Sequence, residues 1–352
     1  MLGNSWFKKE KPLFGLIGLG GGVGSNLVAG AVEVDPSFKV LTYTGTGLSK
    51  ALECGFQPDL VWIKDLTQAH NHNLMDVARG ASGGGYHILC SDDTNGDITN
   101  STDGFKTIDT NGFTLGTNTL GTQSYELNKN GNDYVAWCWL AGGSPTSNPN
   151  GSITSSVSAN TASGFSIVKW TDQNGAQTIG HGLNSAPELI LLKDTGATSS
   201  WSVYSSHLAN TEYLFLNTSD DAFTGSGRWN STNPTSSVFS WSDNTTTNVY
   251  VAYCFHSVTG VSKIGTYTGT GTDVTVTTGF EPAMVFLKQT TGGNDWYIFD
   301  SERSVYVNPS NDAAQPGSDF SNHALQSNGF YFNTSNAAVN GNGDEYIYAA
   351  FK

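Results

Sequence analysis

The sequence predicts an all-β protein: three tandem β-sandwich modules of jelly-roll-like topology, preceded by an extended, glycine-rich N-terminal arm. Three observations carry this prediction. The phrases "GFQPDLVWIK", "LNSAPELILLK" and "GFEPAMVFLK" align on Pro58, Pro187 and Pro282, each followed by a lysine at Lys64, Lys193 and Lys288. The copies close on Tyr134, Tyr250 and Tyr346, within "YVAWCWL", "YVAYCFH" and "YIYAAFK". No stretch keeps an apolar period of about 3.6 residues for three turns, whereas short apolar runs recur about every 8 to 15 residues.

Residues 1–36 form the arm. Its segment "KPLFGLIGLGGGVGS" is apolar and glycine-rich, and glycine lets a backbone lie flush against another surface. Phe14, Leu16, Ile17 and Leu19 supply apolar area for docking, and burial of each is worth ~1.5–3 kcal/mol. The glycines do not make a dinucleotide site. Counted from Gly18, the third glycine of that fingerprint falls one place late, at Gly24, and no βαβ pattern follows. A floppy tail is the bland alternative, and a secretion signal is the other rival reading, from Lys8, Lys9, Lys11 and the small residues of "VAGA". Pro12 and the glycines break the helix that such a signal needs, and Glu10 dilutes its charge.

Module 1 spans 37–145, module 2 spans 163–258 and module 3 spans 261–352. Between the first two, the stretch around "GGSPTSNPNGSITSS" (142–156) has the composition of a linker, assigned to 146–162. Modules 2 and 3 have almost no linker and should pack closely. "DLVWIK", "ELILLK" and "AMVFLK" are apolar, branched and aromatic, and each follows a proline that cannot sit mid-sheet. "WSVYSS" and "WYIFDS" alternate with period two, as half-buried strands do, and put Trp201 and Trp296 at equivalent core positions. "HILCSDD", "LFLNTSDD" and "VYVNPSND" each run a strand into a polar turn. Asn-Gly ahead of "FTL" and "FYF" signals a tight turn.

Charge narrows the function classes. Only 13% of residues are charged, and 16 basic against 30 acidic side chains leave a net charge of −14. That field repels phosphate backbones and disfavours nucleic acid. No apolar run approaches the roughly 18 to 20 residues that cross a bilayer. Four cysteines make a poor disulfide framework for 352 residues. Cys138 and Cys254 stand where the third copy has Ala350, so they read as small core residues, with bridging left open.

Each candidate site has a plainer competitor. "GASGG" around Ser82 matches a nucleophile elbow, but it precedes a strand and not a helix. Asp92–Asp93, Asp220–Asp221 and Asn311–Asp312 recur after the same strand of the three copies, and the first two pairs are weak metal candidates, since calcium takes six to eight oxygens. Asp and Asn also stabilise turns through their own backbone, and that reading is preferred. One active site does not need three copies of a carboxylate pair, so no catalytic residue is assigned. His70 and His72 form H-x-H, which could meet a metal on a trimer axis, although the polar segment reads better as an exposed loop. Arg228 and Trp229, in a loop peculiar to module 2, are a candidate glycan contact.

The opening "WFKKEKPLFGLIGLGGGVGS" resembles the start of many virion proteins of marine tailed bacteriophages. "GFQPDLVWIK", "NGFTLGT" and "NGNDYVAWCWLAGG" resemble a repeat domain common in those tail-fibre-like or lectin-like proteins. The resemblance covers nearly the whole chain and is closest in module 1. It implies a non-enzymatic virion structural protein without a cofactor, foremost a tail-associated adaptor or fibre component docked through its arm. Its alternatives are a capsid decoration (cement) protein and a carbohydrate-binding receptor-recognition module. The expected partners are other virion proteins, further copies of the chain as a trimer, and a host surface glycan.

Overall fold

A computed structural model describes residues 36–82, 85–99, 104–117, 126–225, 227–319 and 322–352. The predicted docking residues Phe14, Leu16, Ile17 and Leu19 lie outside the described residues. The chain is all-β. Module 1 contains β1 (Phe38–Thr44), β2 (Lys50–Glu53), β3 (Leu60–Asp65), β4 (Asn73–Asp76), β5 (Ala81–Ser82), β6 (Gly85–Cys90), β7 (Ile98–Thr99), β8 (Phe105–Asp109), β9 (Gly112–Leu115) and β10 (Asp133–Trp139). Its larger sheet runs β1-β10-β3-β4-β6-β5 with β7 beside β6, and its smaller sheet runs β2-β9-β8. First pairs with last and second with next-to-last, so the chain wraps as a doubled-over hairpin. That is the jelly-roll element of the prediction. β3 then returns through β4 in its own sheet.

Module 2 holds β11 (Thr146–Asn148), β12 (Ser155–Asn160), β13 (Phe165–Gly180), β14 (Leu189–Asp194), β15 (Ser202–Ser205), β16 (Glu212–Phe215), β17 (Phe223–Thr224) and β18 (Val238–Phe255). The stretch 146–162 is therefore no linker. β12 pairs antiparallel with β13, and β11 with β12. Serine, asparagine and glycine suit a solvent-facing outer strand as well as a flexible tether, so composition alone misled. Ile153 and Val157 are buried and anchor the stretch. The wrapping hairpin is here one unbroken ribbon of β13 and β18. Trp170 pairs with Tyr250, and nine residues along β13 Ile179 pairs with Phe239. A straight ribbon would hold those positions ~30 Å apart, yet the rings of Trp170 and Phe239 lie 5.6 Å apart. The ribbon is folded double, at register shifts between Thr171 and Gly175. Asn174 and Gly175 supply the left-handed backbone there, with φ of 71° and 77°.

Module 3 holds β19 (Ser262–Thr268), β20 (Asp273–Thr277), β21 (Met284–Gln289), β22 (Tyr297–Asp300), β23 (His323–Gln326), β24 (Gly329–Asn333), a short α1 (Ala337–Asn340) and β25 (Glu345–Phe351). Its sheets run β19-β25-β21-β22 and β20-β24-β23. Register is the same in all modules: Leu60, Leu189 and Met284 stand opposite Trp139, Phe255 and Phe351. The "YTGTG" repeats now have a cause. Tyr43 stacks on Tyr134 and Tyr267 on Tyr346, at 5.0 and 4.7 Å, while Trp170 takes that place on Tyr250. The next glycine, Gly45 or Gly269, passes so close to the Lys129 or Gly341 carbonyl oxygen that a Cβ would collide with it.

The middle strands are buried on both faces. β3, β14 and β21 are buried at every residue. One face packs on the module's own second layer, around Phe105 and Phe113, Trp241 and Phe239, or Phe330 and Phe332. The other faces of all three modules meet in a single core. At its centre the equivalent residues Trp139, Phe255 and Phe351 touch one another, with ring centroids 6.4, 5.6 and 5.4 Å apart. The modules therefore close on one another, module 1 included, where the sequence suggested a linker between modules 1 and 2 and close packing of modules 2 and 3. Module 3 alone would expose Ile264, Met284, Phe286, Ile347 and Phe351. Residues 261–352 expressed alone should therefore aggregate or stay unfolded, while 36–352 melts in one calorimetric transition. Three separable transitions would contradict a common core.

Candidate functional site

The repeated lysines occupy the boundaries between modules. Lys64, Lys193 and Lys288 are fully buried at the ends of β3, β14 and β21. Lys64 Nζ donates to the carbonyls of His70 (2.5 Å) in its own module and Asp312 (2.9 Å) in module 3. Lys193 Nζ donates to Asp194 O (3.1 Å) and to Thr94 O (3.0 Å) in module 1. Lys288 Nζ donates to Asn294 O (2.5 Å) and to Ser219 O (3.1 Å) in module 2. Each lysine thus grips the polar turn of a neighbour, in the order 1 to 3, 2 to 1, 3 to 2. Burial pulls each amine down to about 8, opposed by nearby aspartates: Asp92, Asp65 and Asp312 at Lys64, Asp194, Asp93 and Asp97 at Lys193, Asp221, Asp295 and Asp220 at Lys288.

A second set of contacts runs in the same direction. The Trp201 indole donates to Cys90 O at 2.7 Å and the Trp296 indole to Phe215 O at 2.8 Å. His72 holds the equivalent place in module 1, its Nδ1 accepting from Trp62 Nε1 at 3.1 Å. Burial pulls its pKa well down, and the backbone of Asn308, the residue matching Cys90 and Phe215, acts in the opposite direction. Tyr253 donates to Asp76 at 2.7 Å, and Asp76 is also bound by Arg79. Trp137 donates to Asp300 at 3.1 Å, and Asp300 is bound by Arg303, whose guanidinium lies 5.5 Å from the Trp137 ring centre. At the third boundary Ala349 stands in place of Trp137 and Tyr253, and Ser205 and Leu208 in place of the Asp–Arg pair. Where the donor is absent, the buried charge is absent too, so no charge is left unpaired.

These boundaries absorb the sequence's candidate sites. The aspartates fit turn chemistry: Asp92 Oδ1 accepts from His72 N, and Asp93 from Asn71 and Asn95. The buried Asp92 carboxyl is pushed up to about 7, chiefly by burial. Asp220 and Asp221 are exposed and act as counter-charges to Lys288. The cation they meet is an ammonium, and among the described residues no three His, Cys, Asp or Glu side chains gather as a metal site. His70 and His72 are buried, not in an exposed loop, at 7% and 0% exposure. They part company: His70 bonds Asp65 at 2.9 Å and His72 bonds Trp62. Ser82 lies in the hairpin of β5 and β6, not on a strand-to-helix turn.

The glycan contact fails at Trp229. The expectation was an exposed indole, but Trp229 is 2% exposed, packed edge-on against Tyr204 and Trp241. Its loop folds back over module 2's own core, which pulls the ring inside. Arg228 instead lies over Tyr213 and Phe215, 5.1 and 5.0 Å from their centres, and donates to Ser202. The core around Trp139, Phe255 and Phe351 leaves about 10 Å³, no more than one water. A surface groove of about 270 Å³ beside β11, lined by Ser144, Thr146, Asn148 and their neighbours, has no titratable side chain in its wall. The residues that sequence reasoning missed are Asp76, Arg79, Asp300 and Arg303. Their signal was present: "DVAR" and "DSER" lie at the same distance beyond Pro58 and Pro282.

The lysines make a pH prediction. Their folded value of about 8 lies below the ordinary 10.5, so between those values the unfolded chain binds more protons. Stability should therefore rise with pH from about 8, by up to ~3 kcal/mol per lysine. Buried Cys90, Cys138 and Cys254, whose values burial raises, oppose the rise above about 9, where the unfolded thiols ionise, and buried Tyr43, Tyr253 and Tyr267 add to that opposition above about 10, where the unfolded phenols ionise. Urea titrations between pH 7.5 and 8.5, below the ionisation of the unfolded thiols, should show the rise, and Lys193→Met should remove about a third of it. A flat profile would mean the amines stay charged.

Residues 35–352 match the family described as "Domain of unknown function (DUF7483)", and the chain belongs to that family. No curated protein matches the chain.

Proposed function

We propose that this DUF7483 protein is a non-enzymatic structural component of a phage virion, a tail-associated adaptor or fibre part that docks through its N-terminal arm. The observation that supports this best is the use made of its buried charge. The lysines and Asp–Arg pairs are occupied in holding module to module, and among the described residues the joint core leaves about 10 Å³ while the groove beside β11 has no titratable side chain in its wall. A glycosidase, for comparison, needs two carboxyls roughly 5–10 Å apart in a cleft. A rigid body with a net charge of −14 suits a surface part that must stay soluble at high copy density. The phage assignment itself comes from the resemblance of the arm and the repeats to marine phage virion proteins, and the arm is the segment that would dock.

Deleting residues 1–35 is expected to leave the melting profile of the remaining chain intact while abolishing incorporation into particles assembled in the host. Incorporation at the full-length level would refute docking through the arm. A protein absent from purified virions in both forms would refute the virion role itself.

A further inference from the structure

One of the three boundaries is not bridged by the chain itself. The chain passes from module 1 to module 2 through β11 and β12, and from module 2 to module 3 in the turn between β18 and β19. Modules 1 and 3 meet only through non-covalent contacts. Lys64 Nζ donates to Asp312 O, Trp137 to Asp300, Ser91 Oγ to Pro309 O at 2.7 Å, and Gln315 N to Leu66 O at 3.1 Å. At this same boundary the repeat departs from its own pattern. His72 stands where modules 2 and 3 have Trp201 and Trp296, whose indoles donate to a neighbouring carbonyl.

We infer that the boundary between modules 1 and 3 is an acid-sensitive latch: protonation of His72 opens the ring there, while the other two boundaries stay closed. The His72 side chain is fully buried. The Trp62 indole can only donate, so His72 Nδ1 accepts its bond and the neutral ring carries its proton on Nε2. Among the described residues Nε2 has no hydrogen-bond partner. A second proton can go only to Nδ1, where it would face the Trp62 N–H. The new cation would also be badly placed. Lys64 and Arg303 both act against it, and the Asn308 backbone of module 3 acts for it. The carboxylates nearby are engaged elsewhere: Asp65 with His70 and Asn132, Asp300 with Arg303 and Trp137, Asp92 with the His72 amide, while Asp312 faces Lys64. The Trp137 ring lies parallel to His72 at 6.3 Å, but Arg303 already sits by its face. Burial, and then those two cations, hold the imidazole well below its ordinary 6.5. Opening returns it to water, so below about 6.5 the open form takes up a proton that the closed form does not. Closure is thus favoured above about 6.5 and weakens as pH falls. Asp92, pushed up to about 7 chiefly by burial, works in the opposite sense. The groups that act on it, His72 N, Lys64 and Asp93, belong to module 1 and stay with it on opening.

Amide hydrogen exchange on the full chain, between about pH 7 and about pH 5 and corrected for the intrinsic effect of pH, tests this. Each boundary has its own reporter. Gln315 N donates to Leu66 O between modules 3 and 1, Ser199 N to Thr94 O between 2 and 1, and Ala222 N to Thr290 O between 2 and 3. Gln315 should lose about tenfold in protection per pH unit below about 6.5, with Ser199 and Ala222 unchanged. His72→Asn keeps an acceptor for Trp62 and cannot ionise, so it should hold Gln315 protected at both pH values. The inference is overturned if Gln315 keeps its protection in acid, if all three reporters open together, or if His72→Asn shows the same loss. Should the variant not fold, nitrogen NMR of the wild-type imidazole decides. A neutral ring protonated on Nε2 at pH 7 is expected. A proton on Nδ1, or titration near 6.5 with Gln315 still protected, overturns the inference.

Discussion

The structure depends on the burial of both faces of its middle strands. A sheet that packs on a single layer leaves its other face to water, and its strands then alternate apolar with polar. β3, β14 and β21 do not alternate, because behind each lies a second core, built jointly by all three modules. Trp139, Phe255 and Phe351 are the residues at which that joint core closes. Each sandwich is therefore only half of a stable unit on its own. The chain is long enough to supply the other halves itself, and the hydrophobic driving force falls on the assembly of modules as much as on their folding.

Apolar packing does not set an orientation by itself, and the polar contacts at the boundaries provide one. Lysine to neighbouring turn, indole to neighbouring carbonyl, and Tyr253 or Trp137 to a neighbouring Asp–Arg pair all point the same way round the ring. A module packed in the wrong order or rotated would leave an ammonium or a carboxylate buried without a partner, which costs several kcal/mol. The boundaries are also not interchangeable. Two carry the charged pair and the third carries Ala349 against Ser205 and Leu208, so each face matches one neighbour best.

Much of this was legible in the sequence. The proline-to-lysine spacing fixed the repeat, and strands β3, β14 and β21 fall where the apolar runs put them. The same runs held information that went unread: six successive apolar or buried positions with no alternation already imply a second packing partner. The invariant lysine at the end of each was likewise a sign of a buried cation needing acceptors. Composition misled where polarity has two causes. Serine and asparagine in 146–162 signify an outer strand, and the polar surroundings of His70, His72 and Trp229 conceal rings that fold inward. Which module grips which was not readable, because the contacts join residues as far apart as Lys64 and Asp312 and depend on ring closure.

The central claim is that the three modules of residues 36–352 form one body around a shared core. Small-angle scattering from that piece in dilute solution tests it most directly. A closed arrangement predicts a radius of gyration of about 20 Å with a single-peaked distance distribution. Three sandwiches strung in line would give about 30 Å or more with a long shoulder, and that result would contradict the account.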